Sequence, residues 1–304
     1  MTVPPSRPLP PFLHTPYDGS KQPFSVGLEP ITPETWLEAD GHFVRDVAYK
    51  KRLLADRRDK VFQALPDTLA AQTEARDLIL AHLAGRPEAF ADAPVTSDPD
   101  DAPLIQAARR VQEDLVLMRK GPDGYLLAAA CLCFPSSWSL LEKFGKSMHD
   151  IHVNVPDFNG ARMGNVVARI FDNLRPEQLV ARYNWSIYDD DDLHHPQPKQ
   201  IDPQLTGDGA PSLIGLHVRV ERQTLRRLPE SGDILFTIKV HHDPLPLLEQ
   251  HPNGPVWAAS LREQLLGLTP QQAAYKGLTH HRPALAEALE AIARRAVHPD
   301  AAAT

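Results

Sequence analysis

Residues 114–134, DLVLMRKGPDGYLLAAACLCF, contain the first strand pattern of the chain. Two apolar runs, 114–119 and 124–134, are separated by the four residues KGPD at 120–123. Gly, Pro and Asp between short apolar runs are typical of a turn. The pattern therefore predicts a β-hairpin.

Downstream of the hairpin the hydrophobic period changes twice. Residues 136–144 predict a short helix, in which Ser139 and Glu142 are placed as a capping box. Residues 161–174 carry their apolar side chains on one helical face, so they predict an amphipathic helix. Three strands are then predicted, at 180–188, 213–225 and 233–240.

The order of these elements favours one fold class. Two strands come first, helices follow strand two, and three strands complete a five-stranded antiparallel sheet. This is the order of a PAS-like sheet, in which a ligand cavity lies between sheet and helices. The predicted class is α+β: a PAS-like five-stranded antiparallel sheet with helices inserted after strand two and helical N- and C-terminal extensions.

Helical patterns flank the sheet region on both sides. They cover 33–39, 45–64, 68–84 and 102–112 before the hairpin, and 256–267, 270–276 and 283–295 after the last strand. Residues 1–30 are Pro-rich and aperiodic, and we expect an extended arm there. The chain is thus divided into an arm (1–30), a ligand-binding PAS-like domain with a helical annex (31–280), and a C-terminal helix with a disordered tail (281–304).

Composition narrows the possible classes of function. Hydrophobic residues make up 42% and charged residues 23% of the chain, which excludes wholesale disorder. A formal net charge of -7 argues against a nucleic-acid binder, whose surface is normally basic. We expect no membrane span and no secretory signal, since no apolar run is long enough for either. Cys131 and Cys133 lie two residues apart in one apolar segment and predict a pair of buried thiols, as in a reduced cytoplasmic protein.

The common phosphate-binding and hydrolase motifs are absent. The histidines are the candidate metal ligands, because imidazole is a common ligand of metal ions. The pairs at 194–195, 241–242 and 280–281 are interpreted as exposed residues, although the first pair follows four aspartates and could bind a divalent cation. His152 differs, since it lies in an apolar, Pro-terminated segment just before the amphipathic helix. It is either a hydrogen-bonded core residue or a ligand, because a neutral imidazole can hold a haem iron.

Arginines are the candidate anion ligands. The segment 219–229 contains four arginines together with Glu221 and Gln223. It is either a solvated strand face or an anion site, because guanidinium groups bind carboxylates bidentately and haem propionates are such carboxylates. Spacing alone does not choose among the candidates, which are Arg162, Arg169, Arg182, Arg219 and Arg222.

Several ordered segments resemble the haem-dependent oxidative N-demethylase alpha-subunit family. They are RVERQTLRRLP (219–229), ILFTIK (234–239), CFPSSWSLLEKFGKSMHDIHVNVP (133–156) and RYNWSI (182–187). The resemblance implies a PAS-like domain that encloses haem b and oxidises a small secondary amine such as dimethylamine with O2, giving methylamine and formaldehyde. Electrons would come from NADPH through a separate flavin and iron–sulfur reductase, since this chain has neither a nucleotide motif nor the cysteines for a cluster.

The resemblance also implies an axial ligand for the haem iron. The family block I-H-A-P-V-P corresponds to IHVNVP at 151–156, which keeps the histidine but has Asn154 where the family has a proline. His152 is therefore the expected ligand, with His149 and His217 as alternatives. The five candidate arginines would bind the propionates.

Two questions stay open at this level. Glu221 either holds the ammonium group of the substrate or forms an ion pair with Arg219 or Arg222 across strands. The function is either the demethylation or that of a haem-based or small-ligand sensor without amine turnover, because fold alone does not settle function. A haem-free scaffold protein is a third possibility.

Overall fold

The computed structural model describes residues 11–21, 27–93, 98–156, 158, 162–202 and 212–294. Over these ranges the chain has a mixed α+β architecture with one sheet and several helices. Part of the predicted arm (1–10 and 22–26) and most of the predicted tail (295–304) lie outside the described residues.

Ten α-helices are found in the described ranges. They are α1 (Phe43–Asp56), α2 (Arg58–Val61), α3 (Leu69–Ala84), α4 (Pro103–Ala108), α5 (Leu140–Lys143), α6 (Met148–Ile151), α7 (Arg162–Asn173), α8 (Gly254–Gly267), α9 (Pro270–Tyr275) and α10 (Arg282–Arg294). Short 3-10 helices lie at Pro33–Thr35, Pro66–Thr68 and Leu245–Glu249. Within the same ranges, none of the helices combines the length and the apolar content that a bilayer crossing requires.

Seven strands form one antiparallel sheet in the part of the chain that is described. They are β1 (Glu29–Pro30), β2 (Phe62–Ala64), β3 (Asp114–Gly121), β4 (Gly124–Cys131), β5 (Leu179–Tyr188), β6 (His217–Arg227) and β7 (Ile234–Pro244). Their order across the sheet is β1-β5-β6-β7-β3-β4-β2. The five long strands are therefore adjacent, and the two short strands extend the two edges.

The predicted hairpin is confirmed, and so are the three strands that follow the helices. β3 and β4 pair as far as Gly121 and Gly124, around a two-residue turn. The bounds of the later strands differ by a few residues from the prediction. β6 begins at His217 rather than at 213, because the φ of 80° at Gly215 interrupts the extended conformation just before it.

The prediction of five strands is wrong, because β1 and β2 had been assigned to the arm and to a helix. β2 interrupts the helix predicted over 45–64 and pairs with β4, where Phe62 lies opposite Cys131. Pro66 disfavours a helical conformation at Leu65, so the helix cannot continue through this point. Strands of two or three residues have no measurable period, and their partners lie far along the chain.

The sheet is buried on both faces. On the first face, called the annex face here, alternate residues of the central strands pack against α1, α3 and α4. The cluster includes Leu115, Leu117, Ala129 and Leu235 of the sheet, with Leu54, Ile79 and Ile105 of the helices. Cys131 and Cys133 are both buried in this cluster as free thiols, which confirms the predicted pair.

The opposite face, called the cavity face, carries the intervening residues of the same strands. Val116, Met118, Leu127, Leu225 and Ile238 form its apolar part, together with Phe171 and Leu174 at the end of α7. The apolar stripe predicted for 161–174 is therefore confirmed. The capping box at the start of α5 is confirmed as well, since the Ser139 and Glu142 side chains each accept a hydrogen bond from the other's backbone N–H.

The C-terminal helices α8 and α10 cover the end of the annex face formed by β5 and β6, where Trp185 and Val220 lie opposite each other and on the same face as His241. Leu261 and Leu265 of α8 share a cluster with Leu285 and Leu289 of α10, and the cluster continues to Trp185 of β5. This packing places α9, which lies between the two helices, at the rim of the cavity.

Candidate functional site

A cavity of about 1180 Å³ lies between the cavity face and the segments that include α5, α6, α7 and α9. Its volume is slightly above the range of about 300–1,000 Å³ that is typical of small-molecule sites. One half is lined by apolar side chains, among them Met118, Leu127, Val167, Phe171, Phe236 and Ile238. The other half is polar, with Arg182, Asn184, Tyr188, Glu221, Gln223 and Lys276.

Strand pairing explains why the polar side chains converge in one half. In the register of β5 and β6, Arg182 lies opposite Gln223, and Asn184 lies opposite Glu221. Residues directly opposite each other on antiparallel strands project to the same face. The apolar half is built by β3, β4 and β7 and by the apolar stripe of α7, so the cavity has a polar end and an apolar end.

His152 lines this cavity, at the C-terminal end of α6. Its position is held by a short helix that Ser147 caps, since Ser147 Oγ accepts a hydrogen bond from the Asp150 N–H. The His152 ring stacks on Phe158, with 4.0 Å between ring centroids and 12° between planes. Its Nδ1 atom lies 2.8 Å from the carbonyl oxygen of Met148.

The protonation of the His152 ring follows from its surroundings. Burial lowers the pKa of His152 to about 4, and the charges of Arg182 and Lys143 act in the same direction, against the hydrogen bond to Met148. The imidazole is therefore neutral near pH 7 and carries one proton. A carbonyl oxygen can only accept, so this proton is on Nδ1 and the lone pair of Nε2 is available to a ligand.

Arg182 brings a cation into the polar half. Its Nε atom is buried and has no hydrogen-bond partner among the described residues. Burial lowers the pKa of Arg182 from its usual value, while Glu221 opposes this shift. Burying a guanidinium whose N–H has no acceptor costs free energy. An anionic ligand would accept this hydrogen bond and pair with the charge.

Lys276 is a second cation in the same half, and it was not among the residues predicted from the sequence. Its ammonium donates hydrogen bonds to the carbonyl oxygen of Trp185 and, at 3.3 Å, to Asn184 Oδ1. Burial lowers the pKa of Lys276 to about 8, with Glu221 opposing and Arg182 assisting. Lys276 follows α9 and reaches the cavity only through the packing of the C-terminal helices, so no local pattern indicates it.

Glu221 is buried in the polar half and lines the cavity. One of its carboxylate oxygens accepts hydrogen bonds from Gln223 Nε2 at 2.8 Å and from Asn184 Nδ2 at 3.4 Å. In the described part of the chain it forms no ion pair with Arg219 or Arg222, so the interpretation as a cross-strand pair is wrong. The carboxylate is thus available to a cationic ligand.

Arg219 and Arg222 have structural partners instead of lining the cavity. The buried Arg219 guanidinium donates to the carbonyl oxygens of Phe134, Pro135 and Leu193, among others. Arg222 lies on the annex face, where it donates to the carbonyl oxygens of Thr35 and Trp36. Both arginines therefore join β6 to distant loops.

The other predicted ligands are more remote. Arg169 is exposed on α7 and does not line the cavity, and the side chain of Arg162 lies outside the described part of the structure. His149 is exposed, and neither it nor His217 lines the cavity. Among the predicted residues whose side chains are described, the cavity brings together His152, Arg182 and Glu221.

The histidine pairs differ from their interpretation as exposed residues. His194 and His195 are half-buried: the Nδ1 of His194 is 2.8 Å from the carbonyl oxygen of Cys133, and His195 Nε2 is 3.0 Å from Asp190 Oδ1. His241 is buried on the annex face, because both faces of β7 are covered. The pair at 280–281 is confirmed in part, since His280 is exposed.

Comparison with known families agrees with this geometry. The family model described as "Haem-dependent oxidative N-demethylase, alpha subunit-like" matches residues 27–286. The match includes the whole sheet and every described segment that lines the cavity from residue 27 onwards. The chain therefore belongs to the haem-dependent oxidative N-demethylase alpha subunit-like family.

Proposed function

We propose that the cavity holds haem b, with His152 as the axial ligand of the iron, and that the protein oxidatively demethylates a small secondary amine such as dimethylamine. The observation that carries the proposal is the hydrogen bond from His152 Nδ1 to the Met148 carbonyl oxygen. Histidine ligands of metals generally donate their other ring N–H in this way, which fixes the ring and leaves Nε2 as the ligand atom.

The residues present fit a haem in two further respects. The porphyrin is apolar and the apolar half of the cavity would exclude water around it. The two propionates are anionic, and the cations that line the polar half include Arg182, with its unsatisfied Nε, and Lys276. The bound haem would supply the activation of O2, which no side chain can supply.

Glu221 is the residue that we assign to the substrate. Its carboxylate lies in the polar half, where it would pair with the ammonium form of a small amine. The hydrogen bonds from Asn184 and Gln223 hold this carboxylate in position. The overall reaction would convert (CH3)2NH, O2, two electrons and two protons into CH3NH2, HCHO and H2O.

The electrons require a partner. The family is named for an alpha subunit, which supports a complex of several components. We propose a flavin and iron–sulfur reductase that takes its electrons from NADPH. The order of the five long strands, β4-β3-β7-β6-β5, supports a PAS-like sheet, and the free buried thiols of Cys131 and Cys133 support a cytoplasmic location.

An absorption spectrum tests the proposal first. The protein is expressed with a haem precursor and measured in the oxidised and the dithionite-reduced state. One haem per chain, with a Soret band that shifts on reduction, followed by formaldehyde release from dimethylamine with an electron donor, is the expected result. A spectral response to ligands without turnover would indicate a sensor, and a colourless protein that refuses added haemin would refute the proposal.

A further inference from the structure

A second candidate site lies on the annex face, away from the cavity. His14 from the segment before β1, Glu38 from the loop before α1, and His241 from β7 meet there. His14 Nε2 lies 3.0 Å from Glu38 Oε1 and 3.2 Å from Oε2, and His241 Nε2 lies 3.1 Å from Oε2. Across the described ranges, this is the one group of three such side chains whose ligand atoms all lie within 4.8 Å of one another.

We propose that His14, Glu38 and His241 bind a divalent metal ion of the zinc class. Two imidazoles and one carboxylate are a common set of three protein ligands for zinc, with the fourth position left to water. Zinc bonds of about 2.0–2.1 Å in a tetrahedron place the ligand atoms about 3.3 Å apart. Glu38 Oε2 lies 3.2 Å from His14 Nε2 and 3.1 Å from His241 Nε2, which is close to that value. Binding therefore requires only small side-chain shifts.

The surroundings of the three ligands are those of a metal site. Asp40 Oδ2 lies 3.9 Å from His241 Nδ1, beyond hydrogen-bond distance, and a small shift would let this carboxylate accept the ring N–H and orient the imidazole toward the metal. Arg222 Nε lies 3.1 Å from Glu38 Oε1, on the oxygen that His241 does not approach. Glu38 can thus pair with Arg222 through Oε1 and bind the metal ion through Oε2.

Unsatisfied carboxyl groups beside the cluster also favour a cation. The Glu113 side chain accepts the Glu38 N–H through Oε1, while its buried Oε2 has no hydrogen-bond partner among the described residues. Asp243, two residues after His241, accepts the Phe12 N–H through Oδ1, and its buried Oδ2 likewise has none. Together with Glu38 and Asp40 these are four carboxyl groups, against two buried cations, Arg222 and Lys239.

Metal binding would attach the N-terminal segment to the sheet. His14 belongs to the segment 11–21, whereas His241 lies in a central strand. His14 also packs on Tyr183 of β5, with 4.9 Å between ring centroids. The site is close enough to the surface for an ion to enter, since the side chains of His14 and Glu38 are 17% and 19% exposed.

The test uses the haem-free full-length chain, treated with a chelator and then titrated with Zn2+ against a chromophoric chelator. Co2+ serves as an optical probe, because its visible absorption is intense in a tetrahedral site. We expect one equivalent of Zn2+ and an intense Co2+ spectrum. In His14→Ala and in His241→Ala, zinc affinity should fall by more than the roughly 10- to 100-fold that loss of a supporting outer residue causes.

The control is His280→Ala, which removes an exposed histidine and should leave both measurements unchanged. Thermal unfolding of the unmodified protein with and without Zn2+ gives a readout that does not depend on how the variants fold, and we expect Zn2+ to raise the Tm. Absence of stoichiometric zinc binding in the unmodified protein, or binding that His14→Ala and His241→Ala leave unchanged, would overturn the proposal. In that case the three residues are a hydrogen-bonded network without an ion.

Discussion

The Nδ1 atom of His152 lies 2.8 Å from the carbonyl oxygen of Met148, four residues earlier in the chain. This single contact assigns the ring proton and therefore the ligand atom. It depends on α6, a single helical turn of four residues that brings the Met148 carbonyl oxygen to the His152 ring. The ring of Phe158 stacks on the His152 ring, with 4.0 Å between centroids, and limits its rotation.

Replacement of His152 by Ala is expected to abolish stoichiometric haem binding, because the iron would lose its axial ligand. The Soret band after reconstitution with haemin measures this. His149→Ala, which changes an exposed residue of the same helix, is the matched control and should bind haem normally. Equal haem content in the two variants would show that His152 is not the ligand.

Replacement of Arg182 by Met is expected to weaken haem binding by about 10- to 100-fold. The reason is that a hydrogen bond to a charged group contributes about 1.5–3 kcal/mol. Haemin titration of the apoprotein gives the affinity. Arg169→Met, at an exposed position outside the cavity, should leave it unchanged. If both variants bind haem as the unmodified protein does, the propionates lie elsewhere.

Replacement of Glu221 by Gln is expected to leave haem content intact and to weaken dimethylamine binding by about 10- to 100-fold, since the charge-assisted contact is lost while the size is kept. The change in the haem spectrum on titration with the amine measures the affinity. Glu177→Gln, at an exposed position before β5, serves as control. Unchanged amine affinity in Glu221→Gln would place the substrate contact on another residue.

The buried ion pair of Lys50 and Asp114 is expected to matter for stability. The Lys50 ammonium donates to the Glu113 carbonyl oxygen and lies 3.4 Å from Asp114 Oδ1, while Asp114 accepts the N–H groups of Cys133 and Phe134. Lys50→Met would leave a buried carboxyl group without its counter-ion and should lower the free energy of unfolding by about 3–5 kcal/mol.

Urea unfolding measures the effect of Lys50→Met. Arg262→Met breaks a half-exposed pair with Glu290 and is the matched control, for which little change is expected. A Lys50→Met protein as stable as the control would mean that the Asp114 carboxyl is adequately stabilised by the two backbone N–H groups alone.

His82 should make the protein sensitive to mild acid. Its ring contacts Trp36 and Phe90, and its buried Nε2 has no hydrogen-bond partner in the described structure. Burial lowers the pKa of His82 to about 4, with Arg86 and Arg226 acting in the same direction. Since the unfolded chain binds the proton near pH 6.5, the stabilising effect is complete above that pH and is lost as the pH falls toward 4.

His82→Phe removes this titration, so the variant should gain stability relative to the unmodified protein between pH 7 and pH 5. Urea unfolding at both pH values gives the difference. His152, whose pKa is also lowered to about 4, titrates in the same range, so the variant keeps part of the acid sensitivity. The same pH dependence in both proteins would contradict the assignment to His82.

Local patterns were sufficient for part of the fold and of the site. The hairpin, the apolar stripe of α7 and the capping box of Ser139 and Glu142 depend on residues close in sequence, and all three are confirmed. His152 was singled out because of its apolar, Pro-terminated segment, and the structure places it in the cavity. Its role as a haem ligand stays a prediction, and so do those of Arg182 and Glu221.

Other features depend on contacts between distant segments. Alternation along β6 separates Arg219 from Arg222 but does not say which face borders a cavity, because both faces of this sheet are buried. Lys276 enters the cavity through the packing of helices that follow the sheet. His241 meets His14 across 227 positions of sequence, a separation at which no local pattern operates.

Short-range periodicity, turn residues and ordered segments were enough to predict the α+β class, the succession of the five long strands along the chain and the family. Only the tertiary structure decided the two edge strands, the residues that line the cavity and the cluster on the annex face. The physical reason is that a side chain's face is set by its own strand or helix, whereas its neighbours are set by whichever remote element packs against that face.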